Sequence, residues 1–388
     1  MTVAQLPSAA ALLRSAEEAT GLTDWGSDLF RQPFEVLIGD LNSEAQLNAQ
    51  GARRAERRLF DTLCTRLRLV EDRKRFPGIA EERIEKPIIV IGLPRSGTTF
   101  FHNLLSADPA NRSPATWEIM FPSPPPDEAG FETDPRIEQA EAAMKFAGFM
   151  GQELQSIHPF DARRPEECNF IWETSLLSVN YMAWWHVPNY RKLLYSIDFR
   201  QVYREHRQVL QHLQHRRRRD RWVLKTPAHM AWLKDLFAVY PDACLIQCHR
   251  DPAKIIPSLS NNLVVWRKTF SDLVPPGDFG MLELQAGGLA NVARFRDQPD
   301  YRDRFFDAHY LDVQADPIAV LRRAYEFFGI PFDDVRERAI RLWMRQDRDG
   351  HAKGPRHAYR LDDYGLDYAV IDRVMGDYMR AFGVQLER

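Results

Sequence analysis

The segment Pro87-Ile-Ile-Val-Ile-Gly92-Leu-Pro-Arg95-Ser96-Gly97-Thr98-Thr99-Phe-Phe-His-Asn-Leu-Leu-Ser106 passes from strand through loop to helix. Ile88, Ile89, Val90 and Ile91 form a β-branched apolar run, the pattern of a parallel strand covered on both faces. Gly92 and Gly97 bracket a tight turn, and Thr98 and Thr99 open a stretch with helical spacing. The first turn of a helix carries unused N–H groups and a partial positive charge, which suit a phosphate. Glycine allows positive φ and close backbone approach to such an anion. The segment therefore predicts an anion cradle.

This loop nearly matches the ATP/GTP phosphate-loop pattern G-x-x-x-x-G-K-[ST]. Thr98 stands at the lysine position, and the cation is inside the loop as Arg95. A nucleoside triphosphatase uses that lysine on its β- and γ-phosphates and holds Mg²⁺ besides. The altered loop suits a shorter anionic group with no metal.

Three more short strands are expected downstream, each followed by a helix. Trp222–Leu224 ends in Lys225-Thr226-Pro227, and Ala243–His249 ends in Arg250-Asp251-Pro252. Arg304–Asp312, which includes Tyr310, is the third. Strand–helix alternation gives a parallel sheet with right-handed crossovers. Ligands of such sheets gather beyond the carboxyl ends of the strands. Those ends carry Arg95, Lys225 and Arg250. Asp251, the one carboxylate there that suggests Mg²⁺, reads better as a helix N-cap. The fold class expected is α/β: a P-loop-type parallel β-sheet flanked by helices, with a helical N-terminal segment and a helical insert.

Composition sets the bounds. With 388 residues, 44% hydrophobic and 27% charged, the chain has material for a full core and is read as one domain. Within it, 1–84 is a helical extension, 85–365 the core, about 117–215 an insert, and 366–388 a terminal helix. Net charge is -2, which gives no general case for nucleic acid or membrane surfaces. No apolar run approaches the ~20 residues that span a bilayer, so no stable membrane insertion is expected. Nor does the N-terminus show a basic-then-apolar leader pattern, so the expected location is cytoplasmic. Cys64, Cys168, Cys244 and Cys248 read as core thiols, and no metal set is apparent.

Outside the sheet, residues 1–40 are weakly periodic, and Leu41–Arg75 reads as one long amphipathic helix, a cap or an oligomer contact that admits a homo-oligomer. Pro135–Gln155 also reads as helix. Phe170–Tyr190 is rich in aromatic residues, which suits either an acceptor pocket or a packed helical lid. The run Arg216–Arg219 lacks the interleaved aromatics of a single-strand groove and reads as a solvated turn, so no nucleic-acid partner is expected. A nucleotide- or RNA-binding adaptor using those arginines is the non-enzyme alternative. The late loop Gly350-His-Ala-Lys353-Gly354-Pro-Arg356-His357 combines cations with flexible backbone, as a flap over phosphate would.

Taken together, Gly92–Thr99, Leu224–Pro227, His249–Pro252 with Ser258, Tyr310 and the basic tail resemble PAPS-dependent sulfotransferases. PAPS is 3′-phosphoadenosine 5′-phosphosulfate. The likeness covers roughly residues 85–365 and is closest to the bacterial branch that shares features with tyrosylprotein sulfotransferases. It implies that Arg95, Ser96, Gly97, Thr98 and Thr99 hold the 5′-phosphosulfate, with Lys225 at the sulfuryl end. By the same likeness Arg250 and Ser258 hold the 3′-phosphate, Tyr310 belongs to the nucleotide site, and Lys353, Gly354 and Arg356 close over it. The tail departs from the R-K-G-x-x-G pattern of the cytosolic enzymes, since Pro355 and Arg356 follow the glycine.

The implied reaction moves a sulfuryl group from PAPS to a hydroxyl without metal and releases 3′,5′-ADP (PAP). Positioning and cationic stabilisation of the leaving oxygen, here by Arg95 and Lys225, carry most of such a transfer. The acceptor hydroxyl needs a general base. Glu118 lies where tyrosylprotein-type enzymes keep theirs. His158, before Glu166 and Glu167, has a suitable pKa class. The acceptor class is a hydroxylated small molecule, lipid or carbohydrate. A P-loop nucleotide kinase or NTPase is the alternative.

Overall fold

The computed structural model describes residues 5–274, 280–350 and 361–387. Five parallel strands form its sheet: β1 Ile88–Gly92, β2 Asn111–Arg112, β3 Arg221–Lys225, β4 Cys244–His249 and β5 Phe305–His309. Their order is β2-β3-β1-β4-β5, with β1 at the centre. Ile88 faces Val223 on one side and Cys244 on the other. All five residues of β1 are buried, which is why its run shows no polar alternation. The α/β class and parallel sheet follow the sequence reading. The two-residue β2 is additional, too short to leave a hydrophobic signature.

The described residues form two compact units. One comprises residues 85–113, 219–262 and 276–388 and contains the sheet. Its core joins Ile88, Val90, Val223 and Ile246 to Phe101 and Leu104 of the Thr98–Ser106 helix and to Leu321 and Tyr325 of Pro317–Phe327. The strand expected at 304–312 stops at His309, and Tyr310 starts a helix, Tyr310–Ala315. Cys244 and Cys248 are buried and free, as core thiols should be. Burial pushes the Cys248 thiol up to about 12, against the pull of Lys225.

The other unit comprises residues 1–84, 114–218 and 263–275 and is helical. Residues 1–40 are more ordered than their periodicity suggests, with helices at Ala9–Thr20 and Arg31–Ser43. Leu41–Arg75 is not continuous: the chain breaks before Ala49–Arg75, where Gln46 takes φ +50° and Asn48 caps the second helix through Gly51 N–H. A local side-chain acceptor there competes with helix propagation. Pro135–Gln155 is likewise split, into Arg136–Phe146 and Gln152–Ile157, around Gly148 at φ +81°. Three of the four consecutive arginines are engaged within this unit. Arg216 lies over Phe76, Arg217 over Phe131 and beside Glu128, and Arg218 against Glu82.

Candidate active site

The loop after β1 is built by three residues of positive φ and one internal tie. Gly92 has φ +131°, and a Cβ there would sit 2.5 Å from the Cys248 carbonyl oxygen, so only glycine lets β1 leave the sheet beside β4. Ser96 closes the turn by donating its N–H and hydroxyl to the Leu93 carbonyl, at 3.2 and 2.7 Å. Arg95 takes φ +71°, a strained setting for a residue with a Cβ, which turns its exposed side chain out of the loop. Gly97, at φ +92°, caps the Thr98–Ser106 helix. The N–H groups of that first turn open at the carboxyl end of the sheet, as an anion site requires.

Cations converge on the same end. Lys225, the last residue of β3, is buried and donates to Thr99 Oγ1 at 3.2 Å. Arg95 Nε donates to Ser258 Oγ at 3.2 Å. Arg250, next after β4, donates through Nη1 to the Arg95 carbonyl at 2.9 Å and lies 3.9 Å over the Tyr310 ring. Its Nε and Nη2 hold both oxygens of Glu387, at 2.7 and 3.0 Å. Burial works against the charge of Arg250, but the Glu387 pair outweighs it and holds the guanidinium above its ordinary value. The structure thus brings together Arg95, Ser96, Gly97, Thr98, Thr99, Lys225, Arg250, Ser258 and Tyr310 in one unit. Lys353, Gly354 and Arg356 lie outside the described residues. Asp251 accepts the Ala253 N–H at 2.9 Å, the helix-cap role read from the sequence. Among the described residues no cluster of three or more His, Cys, Asp or Glu is placed to hold a metal.

The two base candidates belong to the helical unit and differ in setting. Glu118 is wholly buried in the Thr116–Met120 helix, and its Oε2 accepts the Ala115 N–H at 3.0 Å. His158 retains partial exposure, and its Nε2 lies 3.1 Å from Glu166 Oε2. A carboxylate only accepts, so the ring donates from Nε2. Glu166 is itself fixed by the Glu167 N–H, at 2.8 Å.

Glu166 also lines an open recess of about 230 Å³ with Arg58, Ile119, Met120, Phe149 and Phe160. Phe160 stacks on Phe149 at 4.9 Å, contacts His158 at 4.4 Å and meets Trp266 edge-on at 5.7 Å. Phe170 and Trp184 continue this aromatic wall. Within the aromatic insert, Tyr181, Trp185 and Tyr190 instead pack together as core. Phe170 thus lines the recess, while the later rings of Phe170–Tyr190 pack as core.

Sequence reasoning missed three features. Arg58 is an ion-pair partner of Glu173 at 2.7 Å, with both side chains largely buried. Burial opposes the Arg58 charge and Glu173 offsets it, leaving the group raised. His249 bridges Asp307 Oδ1 (2.8 Å) and Tyr378 Oη (2.9 Å), and Arg296 pairs bidentately with Asp307. Glu387 is the third. None has a local signal, since each pair is far apart in the chain.

This cationic loop on a parallel sheet has the make-up of an anion-binding α/β protein, and similarity to known proteins identifies which kind. The chain belongs to the sulfotransferase family, whose model matches residues 87–334. It is 25% identical over 318 residues to omega-hydroxy-beta-dihydromenaquinone-9 sulfotransferase Stf3 of Mycobacterium bovis, covering 77% of this chain and 75% of that protein. The Mycobacterium tuberculosis protein of that name matches equally. Among solved structures, sulfotransferase STF9 from Mycobacterium avium superposes with a TM-score of 0.85 at 26% identity, covering all of both chains. Sulfotransferase STF1 from Mycobacterium tuberculosis gives 0.81 at 29% identity, covering 96% of this chain and 99% of that one. The chain is an enzyme of the sulfotransferase class.

Proposed function

We propose that the enzyme transfers a sulfuryl group from PAPS to the hydroxyl of an apolar acceptor, in line and without metal. The observation that carries this reading is the linkage of Arg95, Ser258 and Arg250 at the helix N-terminus that Lys225 also reaches. Such a set offers one group of donors to a 5′-phosphosulfate and a second to a 3′-phosphate. In the reaction the acceptor oxygen bonds to sulfur while the bond from sulfur to the 5′-phosphate oxygen breaks. Lys225 and Arg95 take up the charge that grows on that leaving oxygen. The acceptor proton passes to His158 Nδ1, and Glu166 stabilises the imidazolium that results. The setting of Glu118, buried and bonded to its own helix start, supports His158 over it. A kinase reading is not favoured, because Thr98 replaces the phosphate-loop lysine and Asp251 caps a helix.

The recess supports an apolar acceptor. Its lining of Ile119, Met120, Met144, Phe149, Phe160 and Phe170 suits an apolar group. A menaquinone-derived alcohol, the class in the name of the Stf3 relatives, has such groups. Calorimetry with 3′,5′-ADP and 5′-AMP tests the donor: 3′,5′-ADP should bind far more tightly, and equal affinity would refute the 3′-phosphate site. His158→Ala should lose about 10²- to 10⁴-fold in turnover at unchanged 3′,5′-ADP affinity, whereas Glu118→Gln should keep turnover. The reverse pattern would move the base to Glu118.

A further inference from the structure

We propose that Glu387 is a resident anion in the seat of the nucleotide's 3′-phosphate, and that donor and product engage Arg250 by displacing it. This rests on the reading of Arg250 as the 3′-phosphate residue. The carboxylate takes the Nε/Nη2 edge of the guanidinium in a two-point grip, the geometry that edge offers equally to a phosphate. With Nη1 already on the Arg95 carbonyl, an arriving 3′-phosphate meets a guanidinium whose best edge is filled.

The segment that carries Glu387 is built to let go and stay near. Beyond the Tyr368–Ala381 helix, Phe382, Gly383 and Val384 donate their N–H groups back to the carbonyls of Tyr378, Arg380 and Met379, and past them Glu387 N–H reaches Asp251 Oδ2 at 2.9 Å. Gln385 and Leu386 are exposed, so lifting the segment uncovers little apolar surface. Its root is firm, because Tyr378 bonds His249 and Phe382 stacks on that ring at 5.0 Å. Since His249 adjoins Arg250, a displaced Glu387 remains within reach and returns when the seat empties.

A phosphate carries more charge than a carboxylate and wins the exchange, but its net gain is reduced by the pair it breaks. The 3′-phosphate is common to PAPS and to 3′,5′-ADP, so the exchange weakens both and hastens departure of the product. A nucleotide with no 3′-phosphate leaves Glu387 in place and is unaffected.

The test uses the full chain with Glu387→Gln, which keeps shape and loses charge, and Glu387→Ala as a second variant. Calorimetry should find 3′,5′-ADP bound about ten-fold more tightly by both, with 5′-AMP unchanged. Stopped-flow should find 3′,5′-ADP leaving correspondingly more slowly. Weaker or unchanged 3′,5′-ADP binding by both variants would overturn the proposal, weaker binding marking Glu387 as a residue that merely orients Arg250. Arg250→Lys, which keeps the charge but loses the fork, separates the two levels. If it leaves the ratio of 3′,5′-ADP to 5′-AMP affinity untouched, Arg250 does not read the 3′-phosphate, and the underlying reading falls without reference to Glu387.

Discussion

Residue conformation, more than residue type, makes the loop after β1 a site. Gly97 shows this best. A Cβ at position 97 would have φ +92° to bear and Tyr310 Cδ2 at 3.2 Å. Left-handed backbone costs an ordinary residue roughly 1–2 kcal/mol, which a large domain survives. Gly97→Ala should therefore lower the melting temperature by only a few degrees, while relaxation of the loop misplaces its N–H donors. The expected result is at least a ten-fold loss of 3′,5′-ADP affinity by calorimetry, and an Ala variant with normal affinity would show that the loop does not contact the nucleotide. The site's cations were legible because each sits at or just beyond a strand end: Lys225 closes β3, Arg250 follows β4, and Arg95 lies three residues past β1. His158 and Glu166 were legible as neighbours eight positions apart. Glu387 was not, because nothing near it in the chain refers to Arg250.

At the scale of elements, burial decides which signals reach the sequence. β1 is buried along its whole length and announces itself as an unbroken apolar run, whereas β4, equally buried, carries Gln247 and His249. The Ala9–Thr20 helix has weak periodicity, yet Ser8 caps one end and Gly21 takes φ +68° at the other, signals that would have found it. In the Arg200–Gln214 helix the charge state of the histidines is set by burial, which no sequence pattern carries. Burial lowers His206 to about 3 and His212 to about 4. Both are neutral when folded and gain a proton more readily when unfolded, so their contribution to stability is complete above about pH 6.5 and is lost as pH falls toward 4 and 3. Melting temperature should accordingly fall from pH 7 to pH 4. His206→Gln should flatten that slope, and an unchanged slope would place the acid sensitivity elsewhere.

For the molecule as a whole, charge complementarity comes from side chains, and among the described residues no metal cluster supplements it. Turnover should be unaffected by excess EDTA, measured with labelled PAPS, and activity restored only by added Mg²⁺ would revive a phosphoryl-transfer mechanism. No described helix is long and apolar enough to cross a membrane. The strand order also imposes a delay. β1 is central, but its neighbours β3 and β4 begin at residues 221 and 244, so Ile88 waits for Cys244 to be made. At ribosomal speeds that interval is on the order of ten seconds. Until β3 emerges the apolar run of β1 has no strand beside it, and newborn chains should depend on chaperone cover over that interval.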